Sequence, residues 1–183
     1  MRATTPPQTY LVYRSLSENL DHEPLRPPPV EFGGGVRASP LRARDTARAM
    51  SQENVELLRN AYEAFARGDV EAVMERLDPD VDWRPAIAPI LGVDAVRGRE
   101  AVRDFLTRDL FEGFDRFRAE PLAFEDLGDA VLVTVRYVGR GESSGIELDQ
   151  TYATLYRLRD GKAVSMRDYL TRAEALEAAG LSE

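Results

Sequence analysis

Asp168 is the residue of this chain whose type and surroundings best suit acid–base chemistry. It follows Met166 in an alternating segment, and Tyr152, Thr154 and Tyr156 alternate in the segment before it. If these side chains share one face of a β-hairpin, the carboxyl group lies on an apolar and aromatic surface. Desolvation there raises a carboxyl pKa toward neutrality, where the group can accept and return a proton.

The turn between the two segments decides which side chains share that face. A two-residue Asp160-Gly161 turn pairs Arg159 with Lys162 and places Ala153 opposite Asp168. A three-residue turn over 159–161, with a bulge at the glycine, instead pairs Leu158 with Lys162. We favour the bulged turn because it leaves a polar opposite face, suited to solvent or a dimer interface and carrying Arg157, Ser165 and Arg167. Its inner face then carries Tyr152, Thr154, Tyr156, Val164, Met166 and Asp168.

Several aromatic side chains are candidates for the walls of a pocket beside this carboxyl group. Tyr62 or Tyr152 could donate a hydrogen bond to a substrate, so the predicted catalytic residues are Asp168, Tyr62 and Tyr152. The predicted substrate-binding residues are Phe65, Trp83, Phe105, Thr154, Tyr156 and Met166. The simpler interpretation is that the aromatic residues are only core and that Asp168 pairs with an arginine such as Arg136.

Composition excludes several kinds of site. The chain has 183 residues with no cysteine, and its one histidine is His22. Thiolate and imidazole metal sites therefore lack ligands, and we predict neither a metal nor a cofactor. Asp80 and Asp82 resemble a carboxylate pair but are most simply the solvated side of a strand. Residues 50–183 carry a net charge of −10, which argues against nucleic-acid and anionic-membrane partners.

The first 49 residues differ from the rest of the chain. They contain seven of the eleven prolines and the glycine run 33–35, and they net +2, with arginine supplying all of the positive charge. We expect a disordered or poorly ordered Pro/Gly/Arg-rich extension, followed by a folded domain over 50–183. The extension either results from an upstream start codon, with Met50 as the natural initiator, or serves as a regulatory or partner-binding arm. With no signal or membrane segment in the sequence, we expect a cytoplasmic protein.

The periodicity of the remaining chain predicts an α+β domain. Apolar spacings of three and four indicate a helix from Ser51, its N-cap, to Gly68, and a second helix capped by Asp69. A short strand over 81–84 and a helix over 98–111 follow. The period then changes to two, and four antiparallel strands and a last helix after Thr171 complete the domain. The helices would cover one face of a curved sheet and so enclose a cone. The mouth of this cone is a natural small-molecule pocket.

Three motifs in this order resemble those of the SnoaL-like polyketide cyclases of the nuclear transport factor 2-like superfamily, over residues 51–181. They are AYEAFARGD at 61–69, GREAV at 98–102 and DGKAVSMRDY at 160–169. The resemblance implies a cone-shaped fold, in which a curved antiparallel sheet is covered on one face by N-terminal helices. It also implies a homodimer formed through the sheet and a small hydrophobic ligand. Members include cyclases, isomerases, dehydratases, epoxide hydrolases and proteins without catalysis.

The resemblance can be followed residue by residue at the site. SnoaL-type cyclases carry an aspartate seven residues after the glycine of the last hairpin, which is Asp168 after Gly161 here. Their partner histidine lies seven residues before that glycine, where this chain has Thr154. In the ketosteroid isomerase pattern, Pro85 takes the position of the base and Thr154 that of the oxyanion-hole acid. Steroid isomerisation by that route is therefore not expected.

Two functions remain open from the sequence. The first is a cofactor-independent isomerase, cyclase, dehydratase or hydrolase that uses Asp168 for proton transfer on a small hydrophobic molecule. The second is a non-catalytic dimeric module that binds a ligand in the same pocket or uses the sheet for interactions. Asp168 favours the first, and Thr154 in place of a histidine favours the second.

Overall fold

The structure is a computed structural model that describes residues 40–88, 92 and 94–181, with the backbone alone for 40–50. Residues 1–39 of the predicted extension, including His22, lie outside the described residues, whereas residues 40–49 of it belong to the first helix.

The first helix begins earlier than the sequence pattern predicts. Helix α1 spans Pro40–Ala66, so Ser51 lies inside it and is not its N-cap. Proline suits a first helical turn, and the alanine- and arginine-rich segment after it has high helix propensity. The buried Ser51 hydroxyl donates to the Asp126 carboxylate instead. The predicted end is confirmed: Gly68 has φ 71°, and the Asp69 side chain caps helix α2, Val70–Met74, by accepting from the Ala72 N–H.

Six strands form one curved sheet in the order β2-β1-β6-β5-β4-β3. Their bounds are Leu77–Arg84 for β1, Val96–Arg97 for β2, Phe114–Asp126 for β3, Ala130–Gly141 for β4, Glu147–Arg159 for β5 and Lys162–Tyr169 for β6. The expected antiparallel sheet is in fact mixed, because β1 pairs with β6 in parallel. That pairing places Trp83 beside Met166 and brings the loop after β1 to the far end of β6.

Two further helices complete the domain. Helix α3, Arg99–Asp104, starts after Gly98 as predicted and continues as a π-helical segment, Phe105–Phe111. The Glu112 N–H donates to the Thr107 carbonyl, five residues earlier, at 3.1 Å, which is the hydrogen-bond spacing of a π-helix. Helix α4, Arg172–Ala178, begins with a capping box between Thr171 and Glu174.

The β5–β6 hairpin corrects the predicted turn while keeping the predicted face. Its turn has two residues, since Arg159 pairs with Lys162, and Asp160 and Gly161 both have positive φ, at 52° and 69°. The three-residue turn is therefore wrong. A bulge does occur, but further along the strand at Val164, and it restores the pairing of Thr154 with Asp168. Ala163, not Val164, thereby joins the inner core.

Each face of the sheet has its own apolar cluster. The inner cluster packs against α1, α3 and the π-helical segment and contains Tyr62, Trp83, Phe105, Tyr137 and Met166. The outer cluster joins Leu132 and Leu155 of the sheet to Leu176 of α4. Within the described residues, no helix is long and apolar enough to cross a membrane.

Candidate functional site

A cavity of about 80 Å³ lies between the inner face of the sheet and the helices. Tyr62 and Phe65 of α1, Leu106 and Leu110 of the π-helical segment, and residues from five of the six strands contribute to its walls. The lining is almost entirely apolar and aromatic. Arg76, which joins α2 to β1, is the one charged residue among the described residues of the lining. Such a surface suits a hydrophobic organic molecule with few polar groups.

Asp168 is held at the edge of this cavity by uncharged donors. Its Oδ1 accepts from the Thr154 hydroxyl at 2.8 Å, and its Oδ2 accepts from the Ala86 N–H at 3.1 Å and the Tyr137 hydroxyl at 3.3 Å. The Trp83 side chain also lies close enough to the carboxyl group to favour its ionised form. Tyr137 and Trp83 both line the cavity, so the carboxyl group is one hydrogen bond away from its wall.

The surroundings of Asp168 change its acidity. Burial raises the pKa of Asp168 from 3.8 to about 6, although hydrogen bonds from Ala86, Thr154 and Tyr137 and the nearby Trp83 side chain oppose that rise. The proposed pairing with Arg136 is not found, because Arg136 pairs with Asp149 at 2.7 Å and with Glu120 at 3.6 Å. None of the basic residues with described side chains forms an ion pair with Asp168. The carboxyl group can therefore exchange a proton near neutral pH.

Two tyrosine hydroxyls meet within the apolar cavity. The hydroxyl of Tyr62 lies 2.8 Å from that of Tyr156, and the two rings pack edge to face with centroids 6.3 Å apart. Burial raises the pKa of both phenols above that of free tyrosine, which keeps them neutral. A neutral hydroxyl pair of this kind can donate a hydrogen bond to a carbonyl oxygen of a ligand.

The predicted site residues fall into two groups. Tyr62, Phe65, Trp83, Tyr156 and Met166 line the cavity. The remaining predicted site residues do not border the cavity; they are Phe105, Tyr152, Thr154 and Asp168.

Each residue of this second group has a defined contact. Phe105 packs edge-on against Trp83, with centroids 5.2 Å apart, and Tyr152 packs against Tyr137, with centroids 5.3 Å apart. The fully buried Thr154 hydrogen-bonds to Asp168. A direct role of Tyr152 as a substrate donor stays a prediction.

Sequence reasoning missed two partners of Asp168. Tyr137 lies on the inner face of β4, a position that the alternation of that strand already indicated. Its contact with Asp168 depends on the order of the strands, which alternation does not reveal. The Ala86 N–H donor carries no sequence signal at all, because every residue except proline has one.

Metal ligands are not grouped in the described ranges. No three Asp, Glu or His side chains there come together in a way that could hold an ion. Asp82 instead pairs with Arg97 of the neighbouring edge strand β2 at 3.2 Å, as expected for a solvated carboxylate.

Solved structures with the same fold support the architecture. An NTF2-like protein of unknown function from Burkholderia pseudomallei is 26% identical, with a TM-score of 0.57 over 69% of this chain and 96% of that one. TerC, co-crystallized with polyporic acid, is 23% identical, with a TM-score of 0.56 over 70% of this chain and 98% of that one. A protein with a ketosteroid isomerase-like fold from Catenulispora acidiphila, in complex with trimethylamine, is 20% identical, with a TM-score of 0.54 over 69% and 93%.

The sequence itself gives the more specific assignment. No curated protein matches the chain. Residues 58–166, more than half of the chain, match the SnoaL-like domain, which confirms the resemblance seen in the three motifs. The chain therefore belongs to the SnoaL-like domain family.

Proposed function

We propose that this protein is a cofactor-independent acid–base enzyme that acts on a small hydrophobic carbonyl compound, with Asp168 as the base. The observation that carries the proposal is the carboxyl group of Asp168. Burial raises its pKa to about 6, and its partners Tyr137 and Trp83 belong to the wall of an apolar cavity. A base with this pKa is largely ionised at pH 7 and still basic enough to abstract a proton.

The proposed step is proton removal from the carbon next to a carbonyl group. The C–H bond breaks, the proton passes to the Asp168 carboxylate, and the electron pair moves onto the carbonyl oxygen to form an enolate. A hydroxyl of the Tyr62–Tyr156 pair donates a hydrogen bond to that oxygen and stabilises its charge. Asp168 then returns the proton, at the same carbon or another one. This step is shared by isomerisation, aldol-type cyclisation and dehydration.

Deuterium exchange tests the proposal without knowledge of the natural substrate. Purified protein is incubated in D₂O with 2-tetralone, an apolar ketone with acidic C–H bonds, and loss of the proton signal is followed by NMR. We expect exchange to be faster with the wild type than with Asp168→Asn by about 10²- to 10⁴-fold. Asp82→Asn, which removes an exposed carboxylate, should exchange at the wild-type rate. Equal rates for wild type and Asp168→Asn contradict the proposal.

A second candidate is a binding module without turnover. It is favoured by one observation: Asp168 is not itself among the lining residues, whereas its partners Tyr137 and Trp83 are. In this case the wild type and Asp168→Asn bind apolar ligands equally well, and neither accelerates exchange.

We also propose that the protein forms a homodimer through its sheet, as the family resemblance implies. The partly exposed stretch of β5 and β6 with Arg157, Ser165 and Arg167 is available, whereas α4 covers Leu132 and Leu155. Sedimentation equilibrium distinguishes a dimer from a monomer, and Ser165→Glu should weaken the dimer by placing a charge in the interface.

A further inference from the structure

Arg76 holds an unusual position in the cavity. It contributes to the lining together with Leu77 and Ala163, and it is the one charged residue there among those the structure describes. It is exposed, and an arginine can lay its aliphatic stem along apolar surface while its guanidinium group stays in solvent. Asp78, a nearby carboxylate on β1, pairs with Arg159 at 3.6 Å. Within the described part of the chain, Arg76 forms no ion pair.

One further cation, Lys162, lies at the same end of the sheet as Arg76, beside Arg159, which is paired with Asp78. The Ala163 N–H donates to the Arg76 carbonyl at 2.8 Å, which brings Arg76 next to the start of β6. Lys162, the only lysine of the chain, precedes Ala163 and pairs across the hairpin with Arg159. Residues 50–183 have a net charge of −10, so an anion is repelled by the domain as a whole. Local positive charge is therefore needed wherever an anionic group binds.

Arg76 and Asp168 lie at opposite ends of the β1–β6 pair. Leu77 pairs with Ala163, whereas Trp83 pairs with Met166, close to the loop whose Ala86 N–H binds Asp168. Asp168 follows Ala163 by five positions along β6, a distance of about 15 Å along a strand. A ligand that reaches from one end to the other is elongated and apolar in its middle.

We propose that Arg76 binds an anionic group of the ligand, so that the cavity selects elongated apolar organic acids whose opposite end lies toward Asp168. The inference rests on the proposed use of this cavity and adds the substrate class. A carboxylate suits the role because a guanidinium group binds it through two parallel hydrogen bonds. A carboxylate beside Asp168 would instead be repelled once that residue is ionised, so the ligand has one favoured orientation.

Binding of 6-phenylhexanoate and its neutral primary amide tests the inference. Titrations at pH 8 can follow the fluorescence of Trp83, the only tryptophan, which lines the cavity. We expect the wild type to bind the carboxylate about tenfold more tightly than the amide. Arg76→Gln should bring this ratio close to one, and Arg76→Lys should restore part of it. Arg67→Gln, which removes an exposed arginine outside the lining, should keep the wild-type ratio.

The outcomes separate this inference from the proposed function. A ratio near one in the wild type, no binding of either compound, or an unchanged ratio in Arg76→Gln overturns the role of Arg76, whatever the exchange assay shows. A tenfold ratio that Arg76→Gln removes supports it even if Asp168→Asn exchanges 2-tetralone as fast as the wild type. In that case the protein is a binding module for organic acids. Shorter phenylacetate should bind less tightly than 6-phenylhexanoate, because it cannot span the cavity from Arg76.

Discussion

Thr154 and Asp168 are cross-strand partners whose side chains are joined by a 2.8 Å hydrogen bond from the threonine hydroxyl to the carboxyl oxygen. Thr154 is fully buried and occupies the position at which the resemblance would place a histidine. A neutral donor replaces a basic group there, so burial and uncharged hydrogen bonds control the acidity of Asp168.

The raised pKa of Asp168 should appear in the pH dependence of stability. The folded state holds this proton more tightly than the unfolded chain, so ionisation costs folding free energy as pH rises from about 4 to about 6. Between pH 4 and pH 7.5, Asp168→Asn should therefore gain about 2.5 kcal/mol in unfolding free energy relative to the wild type. Urea denaturation at a series of pH values measures the difference.

Asp149→Asn provides a control of opposite sign for this measurement. The hydrogen bond from Arg136 lowers the pKa of Asp149, so its stabilising contribution is present above the unfolded pKa and is lost as pH falls. A pH-independent difference between wild type and Asp168→Asn would contradict the raised pKa of Asp168.

Tyr137 should tune the acidity of Asp168 through its hydroxyl. Its hydrogen bond favours the ionised carboxylate, so Tyr137→Phe should move the Asp168 titration midpoint upward by about 0.5 to 1 pH unit. Carbon-13 NMR of the carboxyl group measures this midpoint. Tyr169→Phe, which changes a residue packed against the outer cluster, should leave it unchanged. A midpoint that stays near 6 in Tyr137→Phe would show that this bond has no influence.

The Tyr62–Tyr156 hydrogen bond should be visible as an energetic coupling. Each Tyr→Phe change leaves one hydroxyl without its partner and should cost about 1 kcal/mol of stability. The double variant should cost less than the sum, by about 0.5 to 1.5 kcal/mol, because the second change removes a group already unpaired. Strictly additive values in a double-mutant cycle would mean that the hydroxyls do not interact.

The β5–β6 turn should be sensitive to a side chain at Gly161. Its φ of 69° is in the left-handed region, and a Cβ there would come no closer than 3.9 Å to the Leu57 side chain. Gly161→Ala should therefore lose about 1 kcal/mol from backbone strain rather than from a clash. Asp160→Asn, at φ 52°, should be nearly neutral because asparagine tolerates this region. Thermal unfolding distinguishes the two, and equal melting temperatures would contradict the two-residue turn.

The sequence alone determined most of the elements and which side of β6 faces the core. Period-two alternation places Met166 and Asp168 on one face of β6. Apolar helical spacing places Tyr62 and Phe65 on the inward face of α1. These patterns depend on neighbours within one element, so they can be read along the chain. The two-residue turn was not predicted, because a bulge in the turn and a bulge at Val164 both place Thr154 opposite Asp168.

Only the tertiary structure decided what surrounds the carboxyl group. Ala86 lies 82 residues from Asp168 and Tyr137 lies 31 residues from it, and both reach it because of the strand order and the parallel β1–β6 pairing. The same pairing sets Arg76 and Asp168 at opposite ends of β6. Burial, which raises the pKa of Asp168, is likewise a property of the assembled core, because water is excluded only when distant segments pack together.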